Sequence, residues 1–216
     1  MVKSPKMPDK RHLLIIPVIH TRADFGSFGS QVPVDQEYET MAIRYWQAVS
    51  EYTQALAMDF SKLRVYQDGL PDISAEMVTK IVDETQTANY DLLRWFRDKG
   101  AHIVGTENLP LLMQEYSALQ AIFNAKDEEQ RRAARLEYKK VGAYLLEERD
   151  EYIAERIRAT LPEGGRGILF SGLEHEVKRL LEREMEVSEP ETLIGSSSEA
   201  LRGRIRERLT RKEQTI

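Results

Sequence analysis

Two apolar runs, each ending on a histidine, constrain the fold of this chain more than any other feature. The first is Leu13-Leu14-Ile15-Ile16-Pro17-Val18-Ile19-His20, and the second is Gly167-Ile168-Leu169-Phe170-Ser171-Gly172-Leu173-Glu174-His175. Neither alternates apolar with polar residues, so neither suits a strand with one wet face. Short continuous runs of this kind belong to strands buried on both sides, as in a parallel sheet covered by helices. In open α/β sheets the ligand crevice forms beyond the carboxyl ends of the strands. His20 and His175 are therefore candidate site residues, and the predicted class is α/β with a central, mainly parallel sheet flanked by helices.

Further strands and helices follow from pattern. Leu63-Arg64-Val65-Tyr66-Gln67-Asp68 reads as a strand stopped by Gly69-Leu70-Pro71, which puts Asp68 at its carboxyl end. Ala101 to Glu107 reads as another, with Glu107 at its end and Asn108-Leu109-Pro110 breaking the pattern. Asp35 is a predicted N-cap for a helix running to about Met58, and Ser74 for one stopping at Lys99-Gly100, with Met77, Ile81, Leu92, Leu93 and Phe96 on its buried side. Residues 111 to about 160 form a long helical insertion before the last core strand, capped at Asp127 with Gln130 three positions on, and open to interruption at Gly142. Leu136, Val141, Tyr144, Leu145, Tyr152, Ile153 and Ile157 supply its apolar stripe. A further helix is expected from about His175 to Glu186. Residues 1–186 are thus read as a single domain, 187–198 as a linker and 199–216 as a helical tail, while Thr21 to Val34, with its Gly and Ser residues, is a loop able to fold over a site.

Composition removes several functional classes. There is no cysteine, so disulfides, thiolate metal ligands and cysteine nucleophiles are excluded. A net charge of −5, with Lys and Arg interleaved among Glu, argues against nucleic acid as a partner. No apolar stretch approaches the roughly 20 residues that a membrane helix needs. Lys3, Lys6, Lys10 and Arg11 imitate the start of a signal peptide, but the apolar run is short and no small-residue cleavage site follows, so the expected location is cytoplasmic. A dinucleotide fingerprint, a Walker loop and a Gly-x-Ser-x-Gly elbow are all absent.

Four strand ends then present His20, Asp68, Glu107 and His175, a mixed imidazole and carboxylate set of the type that binds Zn²⁺, Mn²⁺ or Fe²⁺. The alternative for each histidine is a hydrogen-bonded structural residue. Glu174, beside His175, is either a general base or a helix N-terminal carboxylate favoured by the macrodipole. His12 and His102 fall at strand starts, the opposite end of the sheet.

The order of these features resembles the TraB, Tiki, ChaN and erythromycin-esterase-like superfamily. Its members carry two Gly-x-x-His strand ends, an acidic strand end between them, and an Arg-Asn pair on a helix before the last strand. Here Gly172-Leu173-Glu174-His175 matches the second motif, and Glu148-Arg149-Asp150-Glu151 corresponds to the helix segment. Three positions depart from the pattern: Pro17 stands where the family has Gly, Asp68 where Glu is usual, and Asp150 where Asn is usual. The resemblance implies metal or catalytic roles for His20, Asp68 and His175, and makes Arg149 a partner for a substrate anion or a carboxylate. Its members include metal-dependent peptidases, esterases and haem-associated proteins, so kinship of fold does not fix the reaction. The expectation is a hydrolase acting on a small-molecule or peptide substrate, with a divalent metal as cofactor. Its rival is a noncatalytic ligand-binding protein, or an interaction protein whose long helices pair with a second copy.

Overall fold

The computed structural model describes residues 10–21, 35–196, 199–200 and 202–203. Most of the loop 21–34 and most of the tail 199–216 lie outside the described residues. The protein is an α/β fold, and among the described residues its sheet has five strands, all parallel: β1 (His12–Val18), β2 (Leu63–Pro71), β3 (His102–Glu107), β4 (Arg166–Gly172) and β5 (Glu186–Ser188), in the spatial order β3-β2-β4-β1-β5. The helices are α1 (Gln36–Gln54), α2 (Ala75–Glu84), α3 (Ala88–Asp98), α4 (Leu109–Phe123), α5 (Glu128–Thr160) and α6 (Val177–Leu181). None of them is long and apolar enough to cross a membrane.

The unbroken apolar runs are explained by two cores, one on each face of the sheet. Ile16 and Val18 of β1, with Ile168 and Phe170 of β4, pack under α1, α2 and α3 against Trp46, Val82 and Phe96. The alternate residues Leu13, Ile15 and Leu169 face Ile153, Ala154 and Ile157 of α5 and Val177 and Leu181 of α6. Successive side chains point to opposite faces, so a strand covered on both sides must be apolar at every position. Pro17 fits because β5 accompanies β1 only as far as Leu14, leaving the end of β1 paired on one side. Three side chains of α1 then hold the backbone that leaves β1: Tyr45 Oη donates to the Pro17 carbonyl at 2.5 Å, Trp46 Nε1 to that of Ile19 at 3.0 Å, and Tyr38 Oη to that of His20 at 2.9 Å.

The expected caps at Asp35, Ser74 and Asp127 accept from the backbone N–H of Tyr38, Met77 and Gln130. Elsewhere the boundaries differ from expectation. β2 does not stop at Asp68: Gly69, at φ 79°, makes a bulge and the strand continues to Pro71. The helix predicted from Ser74 to Lys99 is two helices, because Thr85 is extended and Arg94 of α3 donates to the last carbonyls of α2, Val82 and Thr85. Met77, expected inside, is exposed. Asn108 caps α4 and Pro110 sits in its first turn, where the missing N–H costs nothing, so Asn108-Leu109-Pro110 begins a helix. Gly142 leaves α5 uninterrupted. The helix after His175 is only five residues long, and Val187 and Ser188, read as the start of a linker, pair with β1. Three residues are too few for a strand pattern to register.

Helix α5 spans 33 residues, and only its carboxyl half reaches the sheet. Its amino half packs with α4, and Leu136, Val141 and Tyr144 of the expected apolar stripe remain exposed.

Candidate functional site

Three adjacent strands deliver the acidic and imidazole groups to one place. β3, β2 and β4 are neighbours in the sheet; Glu107 ends β3, His175 lies three residues beyond β4, and Asp68 sits at the Gly69 bulge near the carboxyl end of β2. Helix α5 brings the counter-charges. Its buried stripe is apolar at Ile153, Ala154 and Ile157, where it lies on the sheet, and becomes charged at Arg149 and Asp150, one turn nearer the site.

Arg149 is the hub. Its Nε donates to Glu107 Oε2 at 3.1 Å and Nη2 donates to Glu107 Oε1 at 2.6 Å, a two-point grip on a fully buried carboxylate. The same Nη2 reaches Asp68 Oδ1 at 2.7 Å, and Nη1 donates to Glu115 of α4, which also accepts from Tyr138 Oη at 2.9 Å. Asp68 is held from its other side by the Gly172 backbone N–H at 2.9 Å. Of the two roles that resemblance suggests for Arg149, its contacts are those of a carboxylate partner.

His175 lies between two carboxylates. Its Nδ1 bonds Asp150, whose second oxygen accepts from the Glu176 backbone N–H at 2.8 Å, and its Nε2 is 3.2 Å from Asp68 Oδ2. Burial disfavours the imidazolium, but the Asp68 charge and the hydrogen bonds to Asp150 and Asp68 outweigh it and push the His175 pKa up to about 10. Burial pushes Glu107 up to about 7, with the Asp68 charge adding to it and Arg149 opposing. Asp68 goes the other way: burial would raise it, yet the His175 and Arg149 charges hold it well below the ordinary carboxylate value.

Asp68, Glu107 and His175 offer one ligand atom each within 4.8 Å of one another, so they could hold a metal ion. His20 is exposed and stands outside this cluster, two residues beyond the end of β1 on the far side of β4. Glu174 is exposed on the turn before His175. Asp150 and Glu115 were not assigned a role from sequence. The first was visible as the residue beside Arg149, but its bond to His175 depends on where α5 lies, and Glu115 carried no signal among the other acidic residues.

The glycine of Gly-x-x-His has a steric reason to be there. A Cβ on Gly172 would fall 2.9 Å from Asp68 Oδ2 and 3.3 Å from His175 Cδ2, and Asp68 cannot swing away from its bonds to Arg149 and the Gly172 N–H. Gly172→Ala is expected to cost about 1–3 kcal/mol in urea denaturation, the usual penalty for overpacking. It should also shift the His175 ring resonances. An unchanged melt and spectrum would mean that the pocket relaxes around the methyl.

Beside His175 opens a cleft of about 250 Å³, with Ser171, Lys178, Arg179, Glu189 and Arg202 among its walls. No family model, curated protein or solved structure matches this chain.

Proposed function

We propose that the chain is a divalent-metal-dependent hydrolase of an ester, peptide or related bond, with Asp68, Glu107 and His175 as the metal ligands. The observation that carries this reading is the arrangement around His175: Asp150 fixes the ring through Nδ1 and leaves Nε2 directed at Asp68, within reach of Glu107. Outer carboxylates orient metal-binding imidazoles in this way. The donor set fits, because two oxygens and one nitrogen suit Zn²⁺, Mn²⁺ or Fe²⁺ and leave coordination positions open. Charge supports the same conclusion. Asp68, Glu107, Glu115 and Asp150 face one guanidinium and one imidazole, so a dication relieves their surplus.

A bound divalent ion would supply Lewis acidity and a water made acidic enough to act near neutral pH. The chain's own residues do the rest. Arg149 holds the Glu107 and Asp68 carboxylates in place, keeping two of four anionic groups from repelling one another out of the site. His175 exchanges its Nε2 proton for the ion, so binding is favoured by rising pH. The cleft beside the cluster gives a substrate a polar wall, in which Lys178 and Arg202 pair with Glu189 and Arg179 with Glu176.

The test is metal content and calorimetric titration with Mn²⁺ and Zn²⁺ on protein purified without a histidine tag, together with a panel of ester and peptide substrates. About one equivalent should bind, and His175→Ala should weaken it beyond the roughly 10–100-fold loss typical of outer-shell changes. Turnover should require the added ion. Absence of binding, or turnover indifferent to His175→Ala, would remove the proposal.

A further inference from the structure

A second cleft, larger than the one beside His175, lies at the opposite end of the same strands. It has a volume of about 580 Å³ and is lined by residues 57–59, 61–62, 64, 102 and 162–166. Its position follows from the sheet: Arg64 of β2 is in register with His102 of β3, and Arg166 begins β4 opposite Leu63. Since the strands are parallel, this is their amino end, on the order of 15 Å from the metal-ligand cluster at about 3.3 Å per residue.

The charges at this cleft do not cancel. Lys62, Arg64 and Arg166 line it together with the acids Asp59 and Glu163. Each acid already has partners. Asp59 accepts from the Ser61 backbone N–H at 3.1 Å and from Ser61 Oγ at 2.7 Å, and it pairs with Lys62 at 3.5 Å. Glu163 pairs with Arg11 at 3.8 Å. Arg64 and Arg166 form no ion pair among the described residues. Among the described residues, this concave surface thus carries two guanidinium groups with no carboxylate at ion-pair distance. The volume falls in the range of small-molecule sites. Ala57 and Met58 give the cleft an apolar wall, and His102 adds a ring nitrogen to its polar side.

We propose that this cleft binds a phosphorylated small molecule, with Arg64 and Arg166 reaching the phosphoryl oxygens from the two sides of the strand ends and Met58 and Ala57 meeting the apolar part. Guanidinium pairs match phosphate oxygens two at a time, which a single ammonium such as Lys62 cannot do. The site shares no residue with the Asp68, Glu107 and His175 cluster, so the two stand or fall separately.

The experiment is calorimetric titration of the full chain with inorganic pyrophosphate, with citrate as a non-phosphate polyanion, at low ionic strength. Pyrophosphate should bind saturably with Kd below about 1 mM, as two charge-assisted contacts allow. Each of Arg64→Gln and Arg166→Gln should weaken it by about tenfold or more. Arg64 is half-buried and Arg166 exposed, and neither has an ion pair to lose among the described residues, so the melting temperature and the Mn²⁺ affinity of these variants should stay at wild-type values, which separates loss of this site from loss of fold. Lack of saturation, equal binding by the double variant, or citrate binding as tightly as pyrophosphate would overturn the assignment.

Discussion

Arg149→Ala is expected to destabilise the protein by about 3–5 kcal/mol, the cost of removing one partner from a buried ion-pair network. The guanidinium is 7% exposed and touches three carboxylates, of which Glu107 is fully inaccessible. Without it, Glu107 and Asp68 face each other with no intervening cation. Glu107 must then stay protonated at neutral pH, or the site must admit water. Arg149→Lys should restore only part of the loss, because one ammonium cannot span Glu107, Asp68 and Glu115 together. Urea denaturation measures the effect, and a double-mutant cycle identifies its origin: in a Glu107→Gln background the alanine substitution should cost less. A loss below about 1 kcal/mol, typical of an exposed pair, would show that the network is a surface feature.

Metal-free protein should lose stability as pH rises from about 5 to 10, in the opposite direction to ordinary acid denaturation. Glu107 has a folded pKa of about 7 against an ordinary 4.5, so it holds its proton more tightly when folded. Its contribution is full below 4.5 and is lost as pH rises through 7. His175 has a folded pKa of about 10 against 6.5, so its contribution is full below 6.5 and is lost as pH rises through 10. Asp68, held below 3.8, contributes above that value and is lost as pH falls, which places the optimum in mildly acidic solution. One pKa unit is about 1.4 kcal/mol, and a kcal/mol shifts the Tm of a chain this size by roughly 2–4 °C. A fall on the order of 10–25 °C between pH 6 and 10 is therefore expected in scanning calorimetry with a chelator present. His175→Gln should flatten the profile above pH 7. Excess Mn²⁺ should reverse its slope, because the ion takes the place of the His175 proton. A chelated wild-type Tm that climbs steadily to pH 9 would contradict this assignment of charges.

The strands were legible because burial on both faces demands apolar residues at every position, and Leu13 to Val18 and Gly167 to Phe170 have them. Glu107 and His175 could be placed at strand ends for the same reason, and Asp68 nearly so, its strand running on through the Gly69 bulge. Strand order was not legible. His20 follows an apolar run as His175 does, but β1 lies on the far side of β4 from Asp68 and Glu107, and α1 binds the carbonyls of residues 17, 19 and 20. A local pattern reports that a strand ends in histidine; which neighbours flank that strand is decided by long-range pairing. Asp150 shows the same limit from the helix side. Its position next to Arg149 was plain, while its contact with His175 arises from the packing of α5 against β3, β2 and α6. The apolar stripe of α5 was overread at Leu136 and Tyr144, because periodicity continues past the point where the sheet ends.

The position of β1 in the sheet also has a consequence for how the chain is made. Its partners are residues 166–172 and 186–188, so the most apolar strand of the molecule waits for about 150 further residues before it can pair. At roughly 5–20 residues per second of synthesis, that interval is on the order of ten to thirty seconds. During it, β2 and β3 can already associate, since they are adjacent in both sequence and space. The nascent chain thus carries an unpaired hydrophobic strand while the rest of the sheet is incomplete, until β4 emerges and closes the gap.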